Sequence, residues 1–408
     1  MIETGELFEQ KVLEKGPGPS RLVLNFGPQH PATHGTLRIV VELDGERVVR
    51  AVPHIGYLHS GFEKIGEVLD YNQYVTITDR MNYMSPLANN IGWHLAVEKL
   101  MGVEAPPRAQ YIRVVLAELS RIADHLVFLG THAMDLGAFT VFLWCFRERE
   151  RCYDLFEMIT GARYTNSYTR VGGVACDAPE GFNEKVLDFI THFPDALKEM
   201  DEILTRNRIF VERTKGVGAI SAEEAVSYGL TGPLLRACGV PLDLRLAEPY
   251  LVYKDLDFDV PIGRNGDVYD RYLVRMEEMR QSVSLTRQAV EKMPDGPVNL
   301  GQSFKVTLPD HQIVYTKMES LIHHFELVMP PTGYRPPVAE VYLATETANG
   351  ELGYYIVSDG SKIPYRVRVR PPSFINYAAF ARMVEGVMLS DLVAILGSIN
   401  VIAAELDR

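Results

Sequence analysis

Residues 126–146 read LVFLGTHAMDLGAFTVFLWCF, and the interpretation of this run decides the fold. It is long and apolar enough to raise the question of a membrane span. Against that, His132 and Asp135 sit near its centre, RERER at 147–151 follows at once, and no companion span is present. Ionisable groups at mid-membrane depth are costly. The run therefore predicts a helix buried on all sides inside a large core. It also singles out Asp135, because a carboxylate in so apolar a setting needs a partner to offset its desolvation.

Working outward, apolar residues recur at helical spacing and predict helices near 61–79, 86–101, 109–160, 184–206, 222–229 and 268–292. The last follows an Asn265-Gly266 turn. Alternating segments flank this helical middle. LVLNF at 22–26, TLRIVVEL at 36–43 and RVVRAV at 47–52, with a turn at Asp44-Gly45, predict a small antiparallel sheet. Strands return in EVYLATE, GYYIVSD and YRVRVR between 340 and 370. The expected fold is α+β and mainly α: a central helical bundle with small antiparallel sheets from the N- and C-terminal regions. Its expected parts are an N-terminal extension at 1–20, a small β region with a His loop at 21–60, a helical core at 61–330, and a C-terminal α/β region at 331–408 packed on the core.

The 408 residues carry 41 Lys+Arg against 53 Asp+Glu, a formal charge of −12. That balance argues against a general nucleic-acid binder. MIETGELFEQKVLEK at the start has four Glu and no apolar stretch, so neither a secretory signal nor a transit peptide is expected, and the expected compartment is cytoplasmic. Cys145, Cys152, Cys176 and Cys238 are the only cysteines and form no CxxC pair. A cluster or structural metal held wholly by this chain is therefore not expected. Cys145 and Cys152 read most simply as small buried hydrophobes.

Gly27-Pro28-Gln29-His30-Pro31-Ala32-Thr33-His34-Gly35 sets two imidazoles four apart, but its prolines forbid a regular helix. The loop reads as a tight hairpin tip that aims side chains one by one. Its histidines either cap the turn or serve as a proton donor or hydrogen-bond partner. Arg366, Arg368 and Arg370 share one face of a strand, for which a solvated face is the default. His323-His324 lacks companion ligands and is assigned to surface or core.

GPQHPATHGTLR (27–38) followed by VPHIGYLHSGFEK (52–64) resembles the signature of the D-subunit family of respiratory complex I. ELSRIADHLVFLGTHAMDLGA, FRERE, YTRVGGV, GLTGPLLRACGV, FDVPIGRNGDVYDRYLVR and GELGYYIVSDGSKIPYRVRVRPPSF continue the likeness in the same order, from about Leu22 to the C-terminus. The family is similar to the large subunit of nickel-iron hydrogenases, which implies a hydrogenase-large-subunit-like fold. Those enzymes hold their metal with two CxxC pairs. Here the first pair is replaced by Thr78-Asp79-Arg80-Met81-Asn82-Tyr83-Met84, and the tail SDLVAILGSINVIAAELDR has neither Cys nor His. Hydrogen chemistry is excluded on ligand count.

The resemblance implies that the vacated cavity binds quinone, with His34 and Tyr83 each donating to one carbonyl of the headgroup. Reduction to quinol takes two electrons and two protons, and these donors favour the negative charge that grows on each oxygen. Asp135 matches the family carboxylate that pairs with the loop histidine, and loss of the imidazolium proton would leave its charge uncompensated, a trigger for coupling to proton translocation. Thr131, one turn earlier, could bond the headgroup or Asp135, or bond back to its own helix. Electrons are implied to arrive from a tetranuclear iron-sulfur cluster held by the B subunit, with Arg80 close to that cluster. A structural ion pair with Asp79 is the other reading of Arg80.

Two places depart from the family. Many relatives have His where this chain has Thr165, which would leave the cluster at lower potential and suit a lower-potential quinone. Tails that commonly read SLDP are here Ser398-Ile399-Asn400-Val401, losing a carboxylate and a proline. The implied activity is NADH:quinone oxidoreduction coupled to proton translocation, with no redox cofactor on this chain. The implied partners are the B, C and I subunits and the membrane-embedded H subunit, on the cytoplasmic face of the bacterial inner membrane. A ferredoxin- or deazaflavin-fed complex and a scaffold without quinone chemistry are the alternatives.

Overall fold

A computed structural model describes residues 21–33, 35–301, 306–329 and 333–408. The extension expected at 1–20 and His34, expected to bond the quinone, lie outside the described residues. The fold is α+β and mainly α, with three antiparallel sheets.

The N-terminal alternation forms β1 (Arg21–Phe26), β2 (Arg38–Asp44) and β3 (Arg47–His54), paired antiparallel in the order β1-β2-β3. The buried face of β2, with Ile39 and Val41, belongs to the same apolar core as Leu392 and Ile395 from the far end of the chain. The loop between β1 and β2 turns through a short 3-10 segment, Pro31–Thr33. There Thr33 donates its hydroxyl to the Pro28 and His30 carbonyls, and His30 Nδ1 accepts from the Ala32 amide at 3.1 Å. His30 is thus a turn-capping histidine.

The long helices are α1 (Pro86–Met101), α2 (Pro107–Asp135), α3 (Phe139–Thr160), α4 (Phe182–Leu204) and α5 (Val268–Lys292). Proline at the first turn starts α1 and α2, where its missing N–H leaves no helical bond unmade. Asp267 starts α5 by accepting from the Asp270 amide. Helices α2 to α5 close into a bundle, α2 against α3 and α5, and α4 against α3 and α5. One continuous apolar core, including Leu126, Phe156, Phe193 and Met276, fills it.

Residues 126–146 are not one buried helix. The chain breaks after Asp135, where Gly137 takes φ +94°, a backbone region that glycine enters without steric penalty. The second half is only partly covered, since Phe139 and Leu143 are more than half exposed. Likewise the helix expected at 61–79 is two short ones, Phe62–Ile65 and Val75–Met81. Asp70 divides them, its carboxylate accepting from the Asn72 and Gln73 amides and so starting a fresh turn.

Buried ion pairs fix the register of α2. Glu118 takes Arg245 at 3.1 Å, Ser282 at 2.6 Å and Tyr253 at 2.7 Å, and His125 meets Glu278 at 2.8 Å. The guanidinium groups of Arg121, at 3.2 Å, and Arg245, with the two hydroxyls, outweigh burial and hold the Glu118 carboxyl down at about 2. Among the described residues no helix is long and apolar enough to cross a membrane.

A two-stranded antiparallel ribbon, β4 (Thr169–Arg170) and β5 (Gly173–Val174), lies between α3 and α4. The C-terminal strands are β6 (Ala339–Thr347), β7 (Gly350–Ser358) and β8 (Arg366–Arg370), an antiparallel sheet whose Tyr354 meets Trp93 of α1 edge to face. The arginine face of β8 is at least partly solvated, as expected, with Arg368 exposed and its two neighbours in ion pairs. Arg366 pairs with Glu67 at 2.6 Å, and Arg370 pairs with Glu351 at 3.3 Å and donates to the Gly229 carbonyl. Helix α6 (Leu389–Ile399) then returns the tail to the bundle, packing on α2 and α5.

Candidate functional site

Several segments, some far apart in sequence, meet around a cleft of about 660 Å³. Pro31 of the β1–β2 loop stands at one edge. Helix α2 contributes Val127, Thr131, Met134 and Asp135, which recur at helical spacing on one face. Tyr83 and Met84 come from the turn before α1, and Asn400, Val401 and Ile402 from the tail after α6. Phe146, Arg149 and Tyr153 of α3, with Arg163 and Tyr164, complete the wall.

Tyr83 is presented by its neighbour. The Asn82 side chain accepts from the Met84 and Ser85 amides and donates to the buried carboxylate of Asp124 at 3.2 Å, which closes the turn and turns the phenol outward to the cleft. Burial, and then the charge of Asp124, raises the Tyr83 phenol above its ordinary value. Burial likewise pushes Tyr164 and Tyr153 up to about 12, with Arg149 pulling both back. All three phenols are thus held protonated as donors at neutral pH.

Thr131 lies in the cleft wall but donates its hydroxyl to the Val127 carbonyl at 2.8 Å. Of its readings, the bond back to its own helix is the one formed, and what it offers the cleft is an acceptor and a methyl group. Arg149 is 8% exposed, stacks 4.5 Å from the centre of the Tyr153 ring and reaches Met84 Sδ at 3.5 Å. Among the described residues no carboxylate pairs with it, so its charge is directed at the cleft.

Arg80 and Thr165 do not line the cleft. Both are exposed, each within three residues of a lining tyrosine. The Arg80–Asp79 ion pair does not form: Arg80 donates to the Thr76 carbonyl, while Asp79 accepts from Asn90 at 2.6 Å. Burial raises the Asp79 carboxyl to about 6. Cys145, Cys152 and Cys238 are buried, and burial raises all three thiols. His323 meets the Thr307 carbonyl at 3.2 Å. Among the described residues no three His, Cys, Asp or Glu side chains converge as a metal site.

Sequence reasoning missed Arg149, Tyr153 and Asp124. Phe146, Arg149 and Tyr153 stand at i, i+3 and i+7, one face of α3, which was a signal available in FRERERCY. Asp124 stands seven and eleven residues before Thr131 and Asp135, hence beneath them on the same face of α2.

The cleft carries a donor phenol, a carboxylate and an unpaired guanidinium in a mainly apolar lining, a suitable surround for a flat polar headgroup on an apolar tail. The respiratory-chain NADH dehydrogenase 49 Kd subunit family matches residues 135–408. The D subunit of NADH-quinone oxidoreductase from Geotalea uraniireducens (strain Rf4) is 50% identical over 387 residues, 95% of this chain and 98% of that protein. The D subunit from Methylacidiphilum infernorum (isolate V4) is 50% identical over 407 residues, covering 100% and 97%. The C/D subunit of NADH-quinone oxidoreductase from Bdellovibrio bacteriovorus (strain ATCC 15356 / DSM 50701 / NCIMB 9529 / HD100) is 54% identical over 387 residues, 95% of this chain and 69% of that longer protein.

Proposed function

Because this chain belongs to the family of the respiratory-chain NADH dehydrogenase 49 Kd subunit, we propose that its cleft seats the headgroup of a quinone as one subunit of a proton-translocating NADH-quinone oxidoreductase. The observation that carries the reading is the convergence on one cavity of Tyr83, from the turn before α1, with Thr131 and Asp135 of α2.

Tyr83 donates to one quinone carbonyl and His34 to the other. Two electrons and two protons convert the quinone to quinol. The raised phenol of Tyr83 keeps its proton until the reduced headgroup becomes a strong base. Asp135 takes up the charge change at His34 and passes it to the proton-translocating part of the assembly. Arg149, facing the same space, favours negative charge on the ring oxygens.

The electrons come from a tetranuclear iron-sulfur cluster on the B subunit, beside Arg80 and Thr165. The C subunit is a neighbour, a reading supported by the C/D naming of the Bdellovibrio relative. The I subunit completes the peripheral arm. The exposed rings at the start of α3 support a further contact: Phe146 in the cleft wall stacks on Phe142 at 4.4 Å, and Phe142 on the exposed Phe139 at 5.8 Å. This apolar ladder leads away from the cleft toward the tail path and the membrane-embedded H subunit, on the cytoplasmic side of the bacterial inner membrane.

Substituting Tyr83→Phe in the assembled complex and measuring quinone reductase turnover tests the reading. A fall on the order of a hundredfold, the usual worth of a proton donor, is expected. Unaltered rates with several quinones would leave the chain a scaffold.

A further inference from the structure

Asp124 is fully buried in α2 and lies one layer beneath the cleft. Its Oδ2 accepts from Asn82 Nδ2 and from Ser85 Oγ, both at 3.2 Å, and its Oδ1 accepts from Asn400 Nδ2 at 2.8 Å. All three partners are neutral. A buried carboxylate is costly to keep, and holding one with neutral donors alone calls for a reason beyond stability.

Those donors belong to the two walls of the cleft. Asn82 and Ser85 flank Tyr83 and Met84, while Asn400 is itself a lining residue. Asn400 takes φ +57°, the left-handed conformation that asparagine adopts more readily than most residues, as the cap of α6. Its amide is held between Asp124 and Asn349 Oδ1 at 2.7 Å. A carboxylate can only accept, so it forces the Asn400 NH2 inward and its carbonyl oxygen to the other side.

We propose that Asp124 is the positioning residue of this cleft, a buried anion that ties the Tyr83 turn to the tail at Asn400 and so fixes the distance between the two walls. What the contact requires is one carboxylate and one amide, and either residue can be the carboxylate. The inference rests on the quinone reading only for the substrate used to test it.

The groups facing this contact are Tyr83 and Tyr164 from the cleft, His125 on its own helix, Arg275 from α5 and Glu405 from the tail. None of them donates a hydrogen bond to Asp124.

The test is a swap in the assembled complex, with quinone KM and kcat measured against pH. Asp124→Asn sets two amides against each other and should raise KM at least fivefold with a smaller effect on kcat. Asn400→Asp sets two carboxylates together, which cannot both ionise, so its KM should fall back toward that of the parent as pH drops. The double variant Asp124→Asn with Asn400→Asp should return KM to within about twofold of the parent with the pH dependence removed, a coupling that independent sites do not show. Parent-like kinetics for Asp124→Asn, additive losses in the double variant, or an Asn400→Asp profile flat in pH would each overturn the proposal. Tyr83→Phe run in parallel separates the two claims: if it is impaired while the swap is additive, the quinone reading stands and the role of Asp124 fails.

Discussion

The guanidinium carbon of Arg275 sits 4.1 Å from the centre of the Phe128 ring, deep between α5 and α2. From there it donates to the carbonyls of Ser398 at 3.0 Å and Ile399 at 3.3 Å, the last turn of α6 before the cleft floor. Among the described residues no carboxylate bonds it, and burial lowers it to about 9. It remains charged at neutral pH and closes the C-terminal end of α6 much as a helix-capping cation would.

Arg275→Lys keeps the charge and loses the planar fork and the ring stack. The expected cost is about 2 kcal/mol, the worth of hydrogen bonds to a charged group. It would be read as a lower unfolding midpoint, together with a raised quinone KM as the floor at Asn400 loosens. An unchanged midpoint would mean that the tail is held by apolar packing alone.

Helix α6 approaches α2 so closely that a Cβ on Gly397 would lie 2.8 Å from His132 Nδ1. His132 is buried, its ring stacked on Phe128 at 5.4 Å and edge-on to Phe210 at 6.1 Å. Gly397→Ala should therefore destabilise the fold by roughly 1–3 kcal/mol despite the better helix propensity of alanine. Chemical denaturation of parent and variant checks it, and a stabilising effect would contradict the close approach.

Glu405 is buried, with the Ser373 amide donating to it at 2.7 Å, and burial raises its carboxyl to about 7. The folded chain therefore holds this proton where the unfolded chain, with the ordinary value of 4.5, releases it. Stability from this group is full below 4.5 and declines as pH rises to about 7, with a slope of at most about 1.4 kcal/mol per pH unit. Glu405→Gln should flatten that decline in unfolding midpoints taken across the window. A parent and a variant with parallel curves would contradict it.

Of the four thiols only Cys176 is exposed. A thiol reagent should label Cys176 in the folded chain and reach Cys145, Cys152 and Cys238 only on unfolding, with mass spectrometry as the readout.

Much of this was legible beforehand because it is local. Period-two alternation marked β1 to β3 and β6 to β8, and the Asn265-Gly266 turn marked the start of α5. The break after Asp135 was hidden because Leu136, Gly137 and Ala138 continue an apolar run, and one glycine within such a run does not announce a turn. Asp70, which divides the helix expected at 61–79, was hidden for a related reason: a short carboxylate breaks a helix only where its own backbone amides are free to be captured. Tyr83, Thr131 and Asp135 were legible as members of a motif. The face of Arg149 was available in the helical spacing of FRERERCY, but the link from Asp124 to the floor at Asn400 spans 276 residues, which no local pattern encodes.

The proposed seat of the quinone headgroup lies between the Tyr83 phenol and the β1–β2 loop. The most direct measurement is a structure of the assembled complex with a quinone-site inhibitor bound. Headgroup density is expected within hydrogen-bond distance of the Tyr83 hydroxyl and of His34, over Thr131 and Asp135. Density seated elsewhere, with the cleft filled by side chains, would contradict it.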